Sequence, residues 1–252
     1  MKLSQAMYGI VLTLGLQGGA YAGAVTWDFT GTSACDESLS TGGVSTDAVN
    51  CTTSGETLIL NAFAQVKNPD GSFSPTFNNA KLTRNSDNGL GVNKEVSDSS
   101  AQIDNQDNID LILFDFDFFL EDLTIEFGSV SSSDHFSLWL GSGLDALYAD
   151  AGNGIDSFTD LNFVTLESIA GFTKTTGQIS LSNPFSLSGL SGVDQMIIAP
   201  AIGQTDDKFR IKRVSVVPEP SSLFLFFAGL FLLTAFSSRR KTVGQRFSPR
   251  LK

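Results

Sequence analysis

The chain has 252 residues, 41% of them hydrophobic, and carries 27 acidic against 16 basic residues, for a formal net charge of −11. Six of the bases follow Phe236 and one is Lys2, so the stretch 23–217 keeps nine bases against 26 acids, a formal charge of −17. A surface of that sign repels nucleic-acid phosphates and anionic lipid and favours solubility and divalent cations, which argues against nucleic-acid binding.

Residues 1–22 read as a secretory signal peptide. Lys2 supplies a small positive region, Tyr8 to Leu16 an apolar core, and Ala20-Tyr21-Ala22 a small-x-small cleavage site. Ala22-Gly23-Ala24 offers a second site two residues on. Signal peptidase is the partner this implies. About 195 residues then remain ahead of Pro218, enough to bury one sizeable core. One exported domain is expected over 23–217.

Cys35 and Cys51 stand 16 positions apart and are the chain's two cysteines. An even pair beyond an export signal reads as a disulfide. The loop it closes is rich in Gly, Ser and Thr, and closure contributes about 3 kcal/mol on the chain-entropy model. Metal binding by the thiols is the weaker reading, since neither a second pair nor a nearby histidine completes a zinc site.

Apolar residues then recur with a period of two. Val25, Trp27 and Phe29 alternate with Thr26, Asp28 and Thr30; Leu58, Leu60 and Ala62 with Ile59 and Asn61; Leu123, Ile125 and Phe127 with Thr124 and Glu126. This is the pattern of half-buried strands. Further strand candidates are 136–140, 162–166, 178–181, 196–199 and 209–217, separated by turn signals such as Asn68-Pro69-Asp70-Gly71 and Asn88-Gly89. Only 142–150, with Leu144 and Leu147 three apart, suits a helical turn. Many short strands joined by glycine-rich turns predict an all-β fold, an antiparallel β-sandwich of jelly-roll type.

The stretch 103–120 is the richest of the exported domain. Ile112, Phe114, Phe116, Phe118 and Leu120 share one face, and Asp115 and Asp117 the other with Leu111 and Leu113, which predicts the central strand. Ahead of it, Asp104, Asp107 and Asp110 with the amides of Asn105 and Asn108 form an oxygen-rich run of the kind calcium takes. The glycine and distal glutamate of an EF-hand loop are missing. The run therefore reads as a solvated acidic turn, with a calcium site at Asp104, Asp107 and Asp110 as the alternative.

Catalytic chemistry finds little support, and no enzyme is predicted. The single histidine, His135, cannot build a multi-histidine metal centre, and no Gly-x-Ser-x-Gly turn supports a serine nucleophile. His135 is expected to open a strand at the surface. Glu56, Glu121, Glu126 and Glu167 could converge as a glycosidase pair, but an acidic domain offers many accidental pairs. Aromatic content is dominated by 21 phenylalanines, mostly core, with two tryptophans. Trp139 lies on the face opposite Phe136, Leu138 and Leu140 and is the candidate exposed ring for a ligand, a second packed sheet face being the other reading.

The C-terminal stretch is the most specific signal in the chain. Val217-Pro218-Glu219-Pro220 precedes an apolar run, Leu223 to Phe236, broken only by Gly229 and Thr234, and then come Arg239, Arg240 and Lys241. At 1.5 Å per residue the run covers about 21 Å against roughly 30 Å of bilayer hydrocarbon, which suits a transient transmembrane helix better than a permanent anchor. The basic cluster behind it would keep the C-terminus cytoplasmic and place everything before Pro218 across the membrane.

This arrangement resembles the PEP-CTERM sorting signal. Pro218, Glu219 and Pro220 match the motif, 221–236 the hydrophobic helix, and Arg239, Arg240 and Lys241 the basic stop, so that 218–241 forms the signal and 242–252 a basic tail. The resemblance implies recognition by exosortase, a membrane-embedded cysteine transpeptidase. It also implies a membrane-anchored precursor and then delivery to the cell surface or extracellular matrix. The order Gly89-Leu90-Gly91-Val92, Ile103-Asp104-Asn105, Asp110 and Asp134-x-Phe136-x-Leu138 is similar to exported domains of such proteins, sandwiches of unassigned activity. The implied role is structural or adhesive, alongside exopolysaccharide. A calcium-assisted carbohydrate-binding module is the alternative, and a hydrolase comes third.

Overall fold

The computed structural model describes residues 23–31, 35, 44–45, 48–93, 101–106, 108–144, 157–169, 171–179 and 183–219. Within them run β1 (Val25–Asp28), β2 (Val44–Ser45), β3 (Val49–Thr53), β4 (Glu56–Val66), β5 (Asn78–Asn79), β6 (Lys81–Asn85), β7 (Gly89–Asn93) and β8 (Ile103–Asp104). They are followed by β9 (Asn108–Phe116), β10 (Leu120–Gly128), β11 (His135–Gly141), β12 (Thr173–Gln178), β13 (Phe185–Ser188), β14 (Gln195–Pro200) and β15 (Lys208–Pro218). A short helix, α1 (Phe163–Ser168), follows a 3-10 turn at Phe158–Asp160.

The strands form two antiparallel sheets. The first runs β13-β10-β15-β7-β6-β2, with β1 and β8 also pairing with β15; the second runs β12-β11-β14-β9-β4-β3, with β5 on β4. From β9 to β11 and again from β12 to β15 the chain crosses between sheets at each step. Alternation explains the shared core: Phe114 and Phe116 of β9, Phe136 and Leu138 of β11 and Met196 and Ile198 of β14 meet Leu123 and Ile125 of β10 and Val214 and Val216 of β15. Gly89, at φ +89°, lets β7 approach β15, since a Cβ there would stand 2.0 Å from the Ile211 carbonyl oxygen.

The second sheet is buried on its outer face as well. Phe63, Leu111, Leu113, Trp139 and Ile197 form a separate cluster with Phe158, Leu161, Phe163 and Leu166 from the 3-10 turn and α1. The stretch 162–166, expected to be a strand, is instead the start of this helix. Asn162 caps it, its side-chain oxygen accepting from Thr165 N–H at 2.9 Å. A capping residue read as the first residue of an extended run misplaces the element. The expected helical turn at 142–150 lies outside the described residues beyond Leu144.

The central strand expected over 111–120, behind the acidic turn, divides. β8 ends at Asp104, β9 at Phe116, and Leu120 opens β10, so Asp117 to Phe119 form a reversal between sheets. β9 is nonetheless central, flanked by β14 and β4. Cys35 and Cys51 are joined, with an S–S distance of 1.99 Å, and Trp27 Nε1–H donates to the Cys51 carbonyl at 3.1 Å. The bond thus closes its loop directly onto the core.

Candidate functional site

The last strand brings two of the three residues of the Pro-Glu-Pro motif, Pro218 and Glu219, to the rim of the sandwich. Val214 and Val216 are core residues, and two positions on, the strand ends at Pro218, buried and paired with Leu120 of β10. Proline is tolerated there because a strand end asks for no further ladder N–H. Glu219 follows with two bonds. Its N–H donates to the Phe119 carbonyl at 2.7 Å, and its Oε1 accepts from Gly192 N–H at 2.8 Å. Gly192 holds φ +64°, a left-handed conformation that glycine takes without strain. The segment bearing it is stitched to the start of β10: Leu190 N–H donates to Glu121 O at 2.8 Å and Leu120 N–H to Val193 O at 2.7 Å.

Beside this clamp is a cleft of about 590 Å³, lined among others by Asp115, Asp117, Phe118, Phe119, Asp194 and Gln195. Gln195 is buried and its amide is fixed from both ends. Its Nε2 donates to Asp115 Oδ1 at 3.3 Å and its Oε1 accepts from Leu144 N–H at 3.1 Å. Phe119 is 48% exposed. An oriented amide, carboxylates and an open aromatic ring together can hold a polyhydroxylated ligand through hydrogen bonds and ring contact. Asp115, Asp117 and Phe118 stood out in the sequence as strand residues, while Phe119 did not. Gly192, Asp194 and Gln195 did not, because they join the site only through the pairing of β14 with β9 and β11.

The two sequence candidates for ligand binding lie elsewhere. Asp104 and Asp110 are buried, 6% and 1% exposed, which corrects the expectation of a solvated turn. The strands β8 and β9 draw both ends of the run into the fold, and Asp104 Oδ1 accepts from Gln106 N–H at 3.2 Å. Asp107 lies outside the described residues, and among those described no group of three or more His, Cys, Asp or Glu side chains is placed to hold a metal ion. Trp139, the candidate for an exposed ring, is fully buried, and the alternative of a second packed sheet face holds. Phe163 of α1 stacks on it with centroids 5.4 Å apart, and Lys174 Nζ lies 5.2 Å from the ring centre. The reason is the helical cover over the second sheet, which turns an outward strand position into an interior one.

His135 opens β11 as expected, half-buried, with Nδ1 3.6 Å from Asp207 Oδ1. Its N–H also donates to that oxygen at 2.9 Å. Burial pushes the Asp207 carboxyl above its ordinary range, and the nearby Asp134 adds to the push, against the hydrogen bond and charge of His135. The glutamates weighed as a catalytic pair are divided: Glu126 pairs with Arg213 at 2.8 Å on the first sheet, and Glu167 pairs with Lys174 near α1.

Residues 216–241 match the family model of the PEP-CTERM protein-sorting motif. The chain carries a PEP-CTERM sorting signal. Its first residues, Val216 to Glu219, are the end of β15 and the clamp; Pro220, Arg239, Arg240, Lys241 and the expected transmembrane helix lie outside the described residues. Among the described residues no helix is long and apolar enough to cross a membrane. No curated protein and no solved structure matches the chain.

Asp207 sets a pH dependence with a definite sign. Its folded pKa is raised, so its contribution to stability is full below the unfolded value of 3.8 and is lost as pH rises through the folded value. Asp207→Asn keeps an acceptor for His135 N–H and has no carboxylate to desolvate. Its melting temperature, measured against wild type from about pH 4 to pH 8, should gain on wild type as pH rises, whereas parallel curves would contradict the assignment.

Proposed function

We propose that this is a non-catalytic, exported β-sandwich protein of structural or adhesive type, placed at the cell surface or in the extracellular matrix through its C-terminal signal. The sorting motif carries the first part: it marks an exported protein sorted by exosortase, with a membrane-anchored precursor. The rest is supported by a domain at −17 with a disulfide, an all-antiparallel core and polar surfaces suited to life outside the cytoplasm. The repeated crossing between sheets supports jelly-roll winding. In cells that contain the sorting enzyme, intact-mass measurement should find a form that lacks the residues after the motif. Pro220→Ala should leave the longer membrane-bound form. An uncut C-terminus in wild type would overturn the reading.

A carbohydrate-binding role is the second reading, favoured by the cleft at Asp115, Asp117, Phe119 and Gln195. Here the ring would come from Phe119 rather than Trp139. Solubilised full chain should be retained on an immobilised acidic or neutral polysaccharide. Phe119→Ala should weaken retention by about tenfold, the scale of one aromatic contact. Loss of retention with a chelator would assign calcium a part, and equal retention of wild type and Phe119→Ala would remove the cleft from the account.

A further inference from the structure

The sorting motif is split by the fold. Pro218 is a buried strand residue paired with Leu120, and Glu219 is bonded through both its N–H and its carboxylate, to Phe119 and Gly192. An enzyme that reads Pro-Glu-Pro as an extended peptide needs the Glu219 carboxylate and the backbone on both sides of it. In the folded sandwich the Glu219 N–H and one of its carboxylate oxygens are already engaged.

We propose that the rim formed by Phe119, Leu120 and Gly192 is a clamp that withholds the first half of the sorting motif, so that opening of the β15 end limits the rate of processing. This rests on the reading of the chain as an exosortase substrate. Glu219 is only partly buried and its partners are single hydrogen bonds at a strand end, where pairing opens most readily. Val216 and Val214, by contrast, are core residues paired on both sides, with β10 and with β1. Opening therefore stops before the core: Pro218 and Glu219 can leave the rim while β15 keeps its place. The clamp also ties processing to folding, because Gly192, Phe119 and Glu219 come together only after β10 has paired with β13 and β15.

The test uses the full chain in cells that contain the sorting enzyme, followed by pulse-chase. A Gly-Ser-Gly-Ser insert between Val217 and Pro218 moves the motif up to about 13 Å beyond its partners, leaving the motif intact and β15 paired through Val217. Conversion should accelerate by about tenfold, the order set by two hydrogen bonds that no longer need to open. Gly192→Pro removes the N–H donor to Glu219 and, with φ fixed at about −65°, cannot hold the left-handed turn, so it should open the rim and accelerate conversion in the same direction. Unchanged or slower conversion in both variants would overturn the clamp. A second readout is independent of exosortase: in detergent-solubilised precursor, the Glu219 amide should exchange its hydrogen more slowly in wild type than in the insert variant, and equal rates would overturn the proposal. Wild type that is never processed in cells, yet shows this exchange difference, would refute the sorting assignment and leave the clamp standing.

Discussion

Strand β15 is the constraint on which the rest of this structure depends. It pairs with β10 along its length on one side and with β1, β7 and β8 in succession on the other, so the last strand gathers strands from the beginning and middle of the exported chain. Its inward residues, Phe209, Ile211, Val214 and Val216, are all buried. A strand so placed cannot form until most of the domain has been made, and its loop-closure cost falls late. The same strand runs into the sorting motif without an intervening linker. Flexible linkers commonly separate a domain from its terminal signal; here the last ladder pair and the first motif residue are both Pro218.

The core of this arrangement was legible in the sequence because alternation is a local property. Val25 to Asp28, Leu58 to Ala62, Leu123 to Phe127 and the stretch 209–217 reveal inward and outward faces directly. What alternation could not show was that one sheet is covered twice. Trp139 has an outward position by its period, and only the packing of α1, distant in sequence, makes that position interior. The helix itself escaped because Phe163, Leu166 and the capping Asn162 form too short a run to display a helical period. The break at Asp117 to Phe119 escaped for a related reason: the aromatic alternation continues through a reversal that has no Gly or Pro to mark it.

The site was legible in half. Pro218 and Glu219 could be assigned to a sorting signal from order and spacing alone, since the motif, apolar run and basic cluster lie in one stretch. Their partners could not, because the separation between Gly192 and Glu219 is fixed by strand pairing and by a left-handed turn rather than by any motif. The acidic run at Asp104 to Asp110 shows the opposite error. Composition suggested solvent and cations, yet β8 and β9 bury its two ends, and burial of carboxylates follows from the strands they belong to and not from their own polarity.

The central claim is that the fold extends into the sorting signal as far as Glu219. Amide hydrogen exchange on the intact precursor tests it most directly, residue by residue along β15. The Glu219 amide, bonded to Phe119, should show protection well above a free peptide, if below that of Val216 in the core. Exchange of Glu219 at the free-peptide rate, with protection ending at Val216, would contradict the account and return the motif to the status of an unstructured tail.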